Sequence, residues 1–163
     1  MENGSARPVD SAERLVSAYA DALYRLCLLR LSSPADAEDA VQETFLRYLN
    51  KKPVFESDEH AKAWLLKVAL NVCRDVGRAR SRHPTVDLSE LELAAPEPED
   101  GRILEALMKL PDKYRVVLTL YYAEGYSTAE IAGIVGKTAS AVKMRLKKGR
   151  ELLKNQYEQE EQS

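Results

Sequence analysis

Apolar residues recur every three or four positions along most of the chain, and strictly alternating stretches are few, so the pattern predicts helices rather than strands. A first helix is expected over about residues 11–31, with Leu15, Tyr19, Ala22, Leu23, Leu26 and Leu29 on its wide apolar side. Ser33 followed by Pro34 reads as an N-cap with proline in the first turn, which opens a second helix to about residue 50. Its inward stripe is Ala37, Val41, Thr44, Phe45 and Tyr48. A third helix, from near Ser57 to about Arg80, carries Leu65, Val68, Ala69, Val72 and Val76 inward. Further on, Ser127 and Glu130 form a capping box ahead of Ile131, Ala132 and Val135, and Gly136 ends that helix. Thr138 then N-caps a last helix that turns Val142, Leu146, Gly149 and Leu153 inward. The predicted fold class is all-α, with two small helical domains.

Charge separates the two halves. Residues 137–150 hold six basic side chains (137, 143, 145, 147, 148, 150) and no acid, on a chain whose net charge is −2. The basicity is therefore local, and Ser140, Lys143, Met144, Lys147 and Lys148 share the outward face of the last helix. Two short helices hinged on a glycine, the second basic outside and apolar inside, read as a helix-turn-helix that enters a major groove. A helical hairpin with a solvated basic face is the plainer alternative. Residues 84–100 carry six acids (87, 90, 92, 97, 99, 100), three prolines and no Lys or Arg. They read as a linker, or else as an acidic strap that competes with DNA for a basic groove. The organisation expected is a domain over 1–83, an acidic linker over 84–100 and a domain over 101–163, with the acidic tail after Lys154 frayed.

Two further faces carry chemistry. Leu46 falls opposite the inward stripe of its helix, among Asp39, Gln42, Glu43 and Asn50. An apolar anchor with a polar rim suits a protein docking site for a basic partner, although lone exposed leucines are common. On the third helix, Lys67, Asn71, Arg74 and Arg78 share an arc with Trp64 and Asp75 at its edge. An aromatic ring beside cations and an amide suits unpaired bases; the alternative is Trp64 packed inside and the cations solvated. Residues 60–83 contain six basic side chains (62, 67, 74, 78, 80, 82) against Asp75 alone.

The exclusions are clear. No apolar run is long enough to span a bilayer and no charged-then-apolar leader precedes the first helix, so a cytoplasmic protein without membrane insertion is expected. Cys27 and Cys73 fall near apolar helix sides and read as buried thiols, while His60 and His83 are isolated, so no metal site is expected. Neither a phosphate-cradling loop nor a nucleophile with its base is present, so neither a cofactor nor an enzyme is expected.

Three segments in order, DAEDAVQETFLRYL, AWLLKVALNVCRDVGRAR and LPDKYRVVLTLYYAEGYSTAEIAGIVGKTASAVKMRLKKGRELLK, resemble the extracytoplasmic-function sigma factors of bacterial RNA polymerase over residues 18–154. The resemblance implies a sigma region 2 domain and a sigma region 4 domain, and core RNA polymerase as partner through its β′ clamp helices and β flap. Asp39, Gln42, Glu43 and Leu46 would then contact the clamp. Asn71 would read the melted minus-ten element beside Trp64, with Lys67, Arg74 and Arg78 nearer phosphates and a flipped base held by the loop over residues 51–57. Ser140, Lys143, Met144, Lys147 and Lys148 would meet the minus-35 duplex of promoter DNA. Met144, Lys147 and Lys148 depart from the small polar, arginine or aromatic residues the family often has there, so its preferred minus-35 sequence does not carry over. Family members are usually held inactive by a separate anti-sigma factor that covers these surfaces, which makes such a protein a candidate partner. The competing readings are a stand-alone helix-turn-helix regulator that dimerises and a helical adaptor without a DNA role.

Overall fold

The computed structural model describes residues 8–79 and 98–162. Among them seven α-helices follow one another: α1 (Pro8–Leu31), α2 (Pro34–Lys51), α3 (Asp58–Ala79), α4 (Pro98–Met108), α5 (Asp112–Leu118), α6 (Thr128–Val135) and α7 (Ala139–Gln162). A π-helical turn, Thr119–Ala123, extends α5. Helices α1, α2 and α3 pack on one another, and α4, α5 and α6 each pack on α7 or its neighbours.

Local chemistry sets most boundaries. Ser33 is extended, its hydroxyl accepts from Asp36 N, and Pro34 occupies the first turn, where a missing N–H removes nothing the helix would use. Lys52 takes a left-handed conformation at φ 49° and donates its N–H to Tyr48 O, closing the C-terminus of α2. Along α2, Ala37 and Thr44 are buried as expected, and the Thr44 hydroxyl donates to Ala40 O at 2.7 Å. The stripe differs in detail: Ala40 is fully buried, whereas Val41, Phe45 and Tyr48 are only half-buried along the rim. Cys27 and Cys73 are both free and buried, and a hydrogen bond between their side chains, together with burial, pushes the Cys27 thiol upward.

The acidic tail is not frayed. Helix α7 continues to Gln162 because α4 and the residue after it supply partners: Arg102 donates to the Tyr157 hydroxyl at 3.0 Å with its guanidinium over the ring, and Lys109, just past α4, bonds Glu160. The Lys109 hydrogen bond holds the Glu160 carboxyl below the usual carboxylate range. Helix α4 also takes up the end of the expected linker, since it starts at Pro98; residues 84–97 lie outside the described residues.

The two helical units share one core. Leu26, Cys27, Leu28 and Leu29 are buried at four consecutive positions, and Arg115 to Leu120 at six. A helical segment buried all round has neighbours on every side. Helix α1 finds them in α2, α3 and α5, while α6 packs against α3. Polar groups cross the same boundary. Arg115 donates from Nε to Leu29 O (2.6 Å) and from one terminal nitrogen to Met108 O (3.0 Å) and Leu110 O (2.8 Å). One guanidinium thereby satisfies carbonyls at the C-terminal ends of α1 and α4, which have no partner inside their own helices, and one in the turn that follows α4. Arg30 pairs with Asp112 at 2.7 Å.

Burial lowers the Arg115 pKa, with Asp112 acting against it, and the side chain stays charged. Arg115→Ala should strip three carbonyls, those of Leu29 and Leu110 buried, of their donor and lower the unfolding free energy by about 2 to 5 kcal/mol. Arg115→Lys should recover less than half of that, because an ammonium lacks the planar fork that reaches both helix ends. Urea denaturation followed by circular dichroism measures both. Wild-type stability in the alanine variant would mean that water replaces the guanidinium at no cost.

Candidate nucleic-acid interface

Helices α6 and α7 are set at a fixed angle by three short-range devices. The Ser127 hydroxyl accepts from Glu130 N (3.1 Å), and the Glu130 carboxylate accepts from Ser127 N (2.8 Å), a complete capping box. Gly136 sits at φ 72°, ψ 36°, the left-handed region that lets the chain leave α6, and its N–H donates to Ala132 O. Thr138 Oγ1 accepts from Ala141 N at 3.1 Å and starts α7. Val142, Leu146 and Gly149 then face inward. At Gly149 a Cβ would lie 3.2 Å from Leu118 Cδ1, so glycine lets α5 and α7 approach closely. Ser140, Lys143, Met144, Lys147 and Lys148 are all exposed, Met144 at 72%. The three lysines form no ion pair with any described residue, so their charge is available to a polyanion.

The second candidate face lies on α3. Ser57 caps this helix through its hydroxyl, which accepts from His60 N at 3.0 Å. Lys67 and Arg74 are exposed and Asn71 is half-buried, its Oδ1 accepting from Arg74 at 2.5 Å. The backbone of Arg78 belongs to α3, but its side chain lies outside the described residues, as do Arg80, Arg82 and His83. Trp64 is half-buried in an aromatic cluster, edge-on to Tyr48 (6.3 Å) and Phe55 (5.7 Å), with Phe55 stacked on Tyr48 at 6.0 Å. Sequence reasoning singled out Trp64 alone and missed its two aromatic partners. Pro53, Phe55, Glu56 and Ser57 of the loop before α3 line a cavity of about 330 Å³ together with Arg14, Leu15, Tyr48, Asp58 and Ala61. Lys62 is not on this face: it lies 2.7 Å from Glu124, behind the helix, and leaves the set of cations open to DNA.

The third surface is apolar. Leu46 is 54% exposed, as expected, yet it does not stand alone among acids. It borders a groove of about 400 Å³ with Val16 and Ala20 of α1 and Val41, Gln42, Phe45 and Leu49 of α2. The groove exists because α1 lies beside α2 and contributes two side chains that no wheel of α2 can show. Leu46 and Leu49, three residues apart outside the buried stripe, were the readable signal. Asp39 and Gln42 are exposed near it, and Glu43 accepts from Arg47 at 3.1 Å.

Comparison with known proteins places both halves. Residues 15–83 match Sigma-70 region 2 and residues 100–153 match Sigma-70, region 4. The ECF RNA polymerase sigma factor SigW of Bacillus subtilis is 32% identical over 90% of this chain and 89% of its own length. Among solved structures, CnrH in complex with the cytosolic domain of CnrY aligns over 93% of this chain and 89% of that chain, with TM-score 0.67 and 26% identity. The sigma factor RpoE in complex with the anti-sigma factor NepR from Bartonella quintana has the same fold, with TM-score 0.73 and 23% identity over 90% of this chain and 96% of that one. No described helix is long and apolar enough to cross a membrane.

The devices that orient α7 are separable. Ser127→Ala should lower stability by about 1 kcal/mol through loss of the cap. Gly136→Ala should cost about 1 kcal/mol through left-handed strain, with open space around the added methyl. Thermal unfolding checks both, and an unchanged melting temperature for the pair would show that tertiary packing alone orients α7.

Proposed function

The chain belongs to the extracytoplasmic-function sigma factors of bacterial RNA polymerase, and from that premise we propose which of its surfaces carry each step of promoter recognition. The protein binds core RNA polymerase and directs it to promoter DNA in transcription initiation. The observation that carries the assignment of surfaces is the pairing of an exposed, unneutralised cationic face on α7 with a second cationic face beside an aromatic cluster on α3.

The α1–α2 groove receives the β′ clamp helices. Leu46 is the anchor, Val16 and Leu49 widen it, and Asp39, Gln42 and Glu43 form the polar rim. On α3, Asn71 reads an unpaired base of the minus-ten element, while Lys67, Arg74 and Arg78 hold phosphates. Trp64 stiffens the wall made by Phe55 and Tyr48, and the cavity behind that wall takes an extruded base. Helix α7 enters the major groove of the minus-35 element with Ser140, Lys143, Met144, Lys147 and Lys148. The β flap meets the C-terminal unit, and the polymerase supplies the bond-making chemistry in the cytoplasm. An anti-sigma factor is a fitting further partner, since the structural relatives carry such proteins.

Run-off transcription with holoenzyme reconstituted from purified core tests the reading as a whole: transcripts that depend on this chain are expected, and their absence on every genomic fragment would overturn it. Leu46→Lys should weaken core binding about tenfold or more, in line with the roughly 1 to 3 kcal/mol of a buried anchor leucine, while the melting temperature stays put. A collapse of helical content with unchanged binding per folded molecule would make Leu46 a core residue.

Salt distinguishes the two lysines of α7. Lys147→Ala should weaken binding evenly across minus-35 sequences and lower the slope of log affinity against log salt by about 1. Lys143→Ala, nearer the N-terminus of α7, should instead reduce discrimination between matched and scrambled duplexes. Unchanged affinity in both variants would exclude this face from the groove.

A further inference from the structure

The outward side of α7 is a ridge with cations on both flanks. Val142, Leu146 and Gly149 are buried and mark the side that faces the core. At about 100° per residue, Met144 points about 170° away from their mean direction, so it projects farthest toward whatever α7 docks against. It is 72% exposed. Lys147 stands about 60° to one side of it and Lys148 about 40° to the other, with Arg150 beyond Lys147 and Arg145 beyond Lys148. Arg150 donates to the Tyr122 hydroxyl at 3.2 Å. Ser140 precedes Met144 on the ridge by one turn, and Glu151, exposed about two turns after it, is an acid that a groove walled by phosphates repels. Reading from the ridge is thereby confined to Ser140 and Met144, near the start of α7, where a groove-bound helix reaches base edges.

We propose that Met144 determines one base of the minus-35 element, selecting thymine by its 5-methyl group. The inference rests on the reading of α7 as the helix that enters the minus-35 duplex. In the major groove every base presents polar edge atoms, and thymine alone adds a methyl group. A thioether donates no hydrogen bond and accepts only weakly. Set against an amino group or a ring nitrogen, the Met144 side chain displaces water and returns no hydrogen bond, which leaves that edge unsatisfied. Against a methyl group both surfaces are apolar, and water leaves both.

The neighbours of Met144 cannot make the same choice. A serine hydroxyl donates or accepts, so Ser140 suits either kind of edge and separates bases poorly. Lys147 and Lys148 lie on the flanks, where a point charge serves the phosphates of the two strands. Flexibility suits the role as well. Methionine is unbranched, with a polarizable thioether, and adapts its shape to a small apolar projection such as one methyl group.

The test uses holoenzyme reconstituted from purified core and the full chain, on a promoter fragment that it transcribes, with affinity read by competition. Each thymine of the minus-35 element, on either strand, is replaced in turn by deoxyuridine, which removes the methyl group and leaves the pairing edge unchanged. At one position the loss should be about fourfold, the effect of one apolar carbon returned to water. Cytosine paired with guanine at that position should bind more weakly still, and 5-methylcytosine should bind about fourfold better than cytosine. Met144→Ala should bind the thymine and deoxyuridine fragments alike, whereas Met144→Leu, apolar and of similar volume, should keep the difference. Met144→Gln should turn the preference there toward adenine, whose N6 and N7 an amide pairs bidentately. Wild-type affinity indifferent to deoxyuridine at every position, or a difference that survives in Met144→Ala, would overturn the role of Met144 and leave the minus-35 reading standing. An element without thymine on either strand would overturn it equally. Holoenzyme that transcribes no fragment, or whose affinity ignores the whole minus-35 sequence, would overturn the reading of α7 itself and the inference with it.

Discussion

A charged guanidinium inside the molecule has to find acceptors, and the way Arg115 finds them fixes how the two halves meet. Its donors are shared between Leu29 O at the end of α1, Met108 O at the end of α4 and Leu110 O in the turn after it. Helix ends are where unpaired carbonyls collect and where the helix dipole favours a cation, so an arginine between two C-termini satisfies both with one group. The planar fork imposes direction as well as charge. That requirement places α5 against the last turns of α1, and α5 in turn carries the π-helical turn, Glu124 and the start of the helix-turn-helix.

The helix-turn-helix depends on that scaffold less than its short helices suggest. Ser127, Glu130, Gly136 and Thr138 each act within three or four residues, so the angle between α6 and α7 is written locally. What tertiary packing adds is register. Gly149 lets α7 approach Leu118 and Tyr114, which turns Lys143, Met144, Lys147 and Lys148 to the outside as a set. The separation of duties explains why eight residues of α6 suffice in a module whose neighbours supply the core.

The same division marks how far the sequence could be read. Caps, turn glycine, inward stripes and the outward basic face were legible because each is a pattern within one helix. The rim of the α1–α2 groove was half legible: Leu46 showed on its wheel, but Val16 comes from another helix. Lys62 stood in the count of basic residues over 60–83 but not on the outward arc, and no pattern within α3 shows that its partner is Glu124, 62 residues away. The tail was misread for a similar reason, because Arg102 and Lys109, about fifty residues upstream, hold it helical. The packing of the two units did leave a trace, in apolar runs at Leu26 to Leu29 and Val116 to Leu118 too continuous for a helix with one buried face. No wheel says which helix covers such a run.

Lys62 and Lys67 show how internal pairing bears on recognition. They stand five residues apart on one helix, about 140° around its axis, and one is held by a carboxylate while the other is exposed. Counting basic residues therefore overstates the charge offered to DNA; the relevant quantity is the charge left after internal pairing. On the outward arc of α3, Lys67 is exposed and Arg74 donates to the neutral amide of Asn71, which leaves its charge in place. On α7 the three outward lysines keep theirs whole. On the proposed reading, the α7 face attracts duplex phosphates, with a strong salt dependence. On the same reading, the α3 face, where an amide and an aromatic wall stand beside the cations, suits contacts that form after a strand has been unpaired.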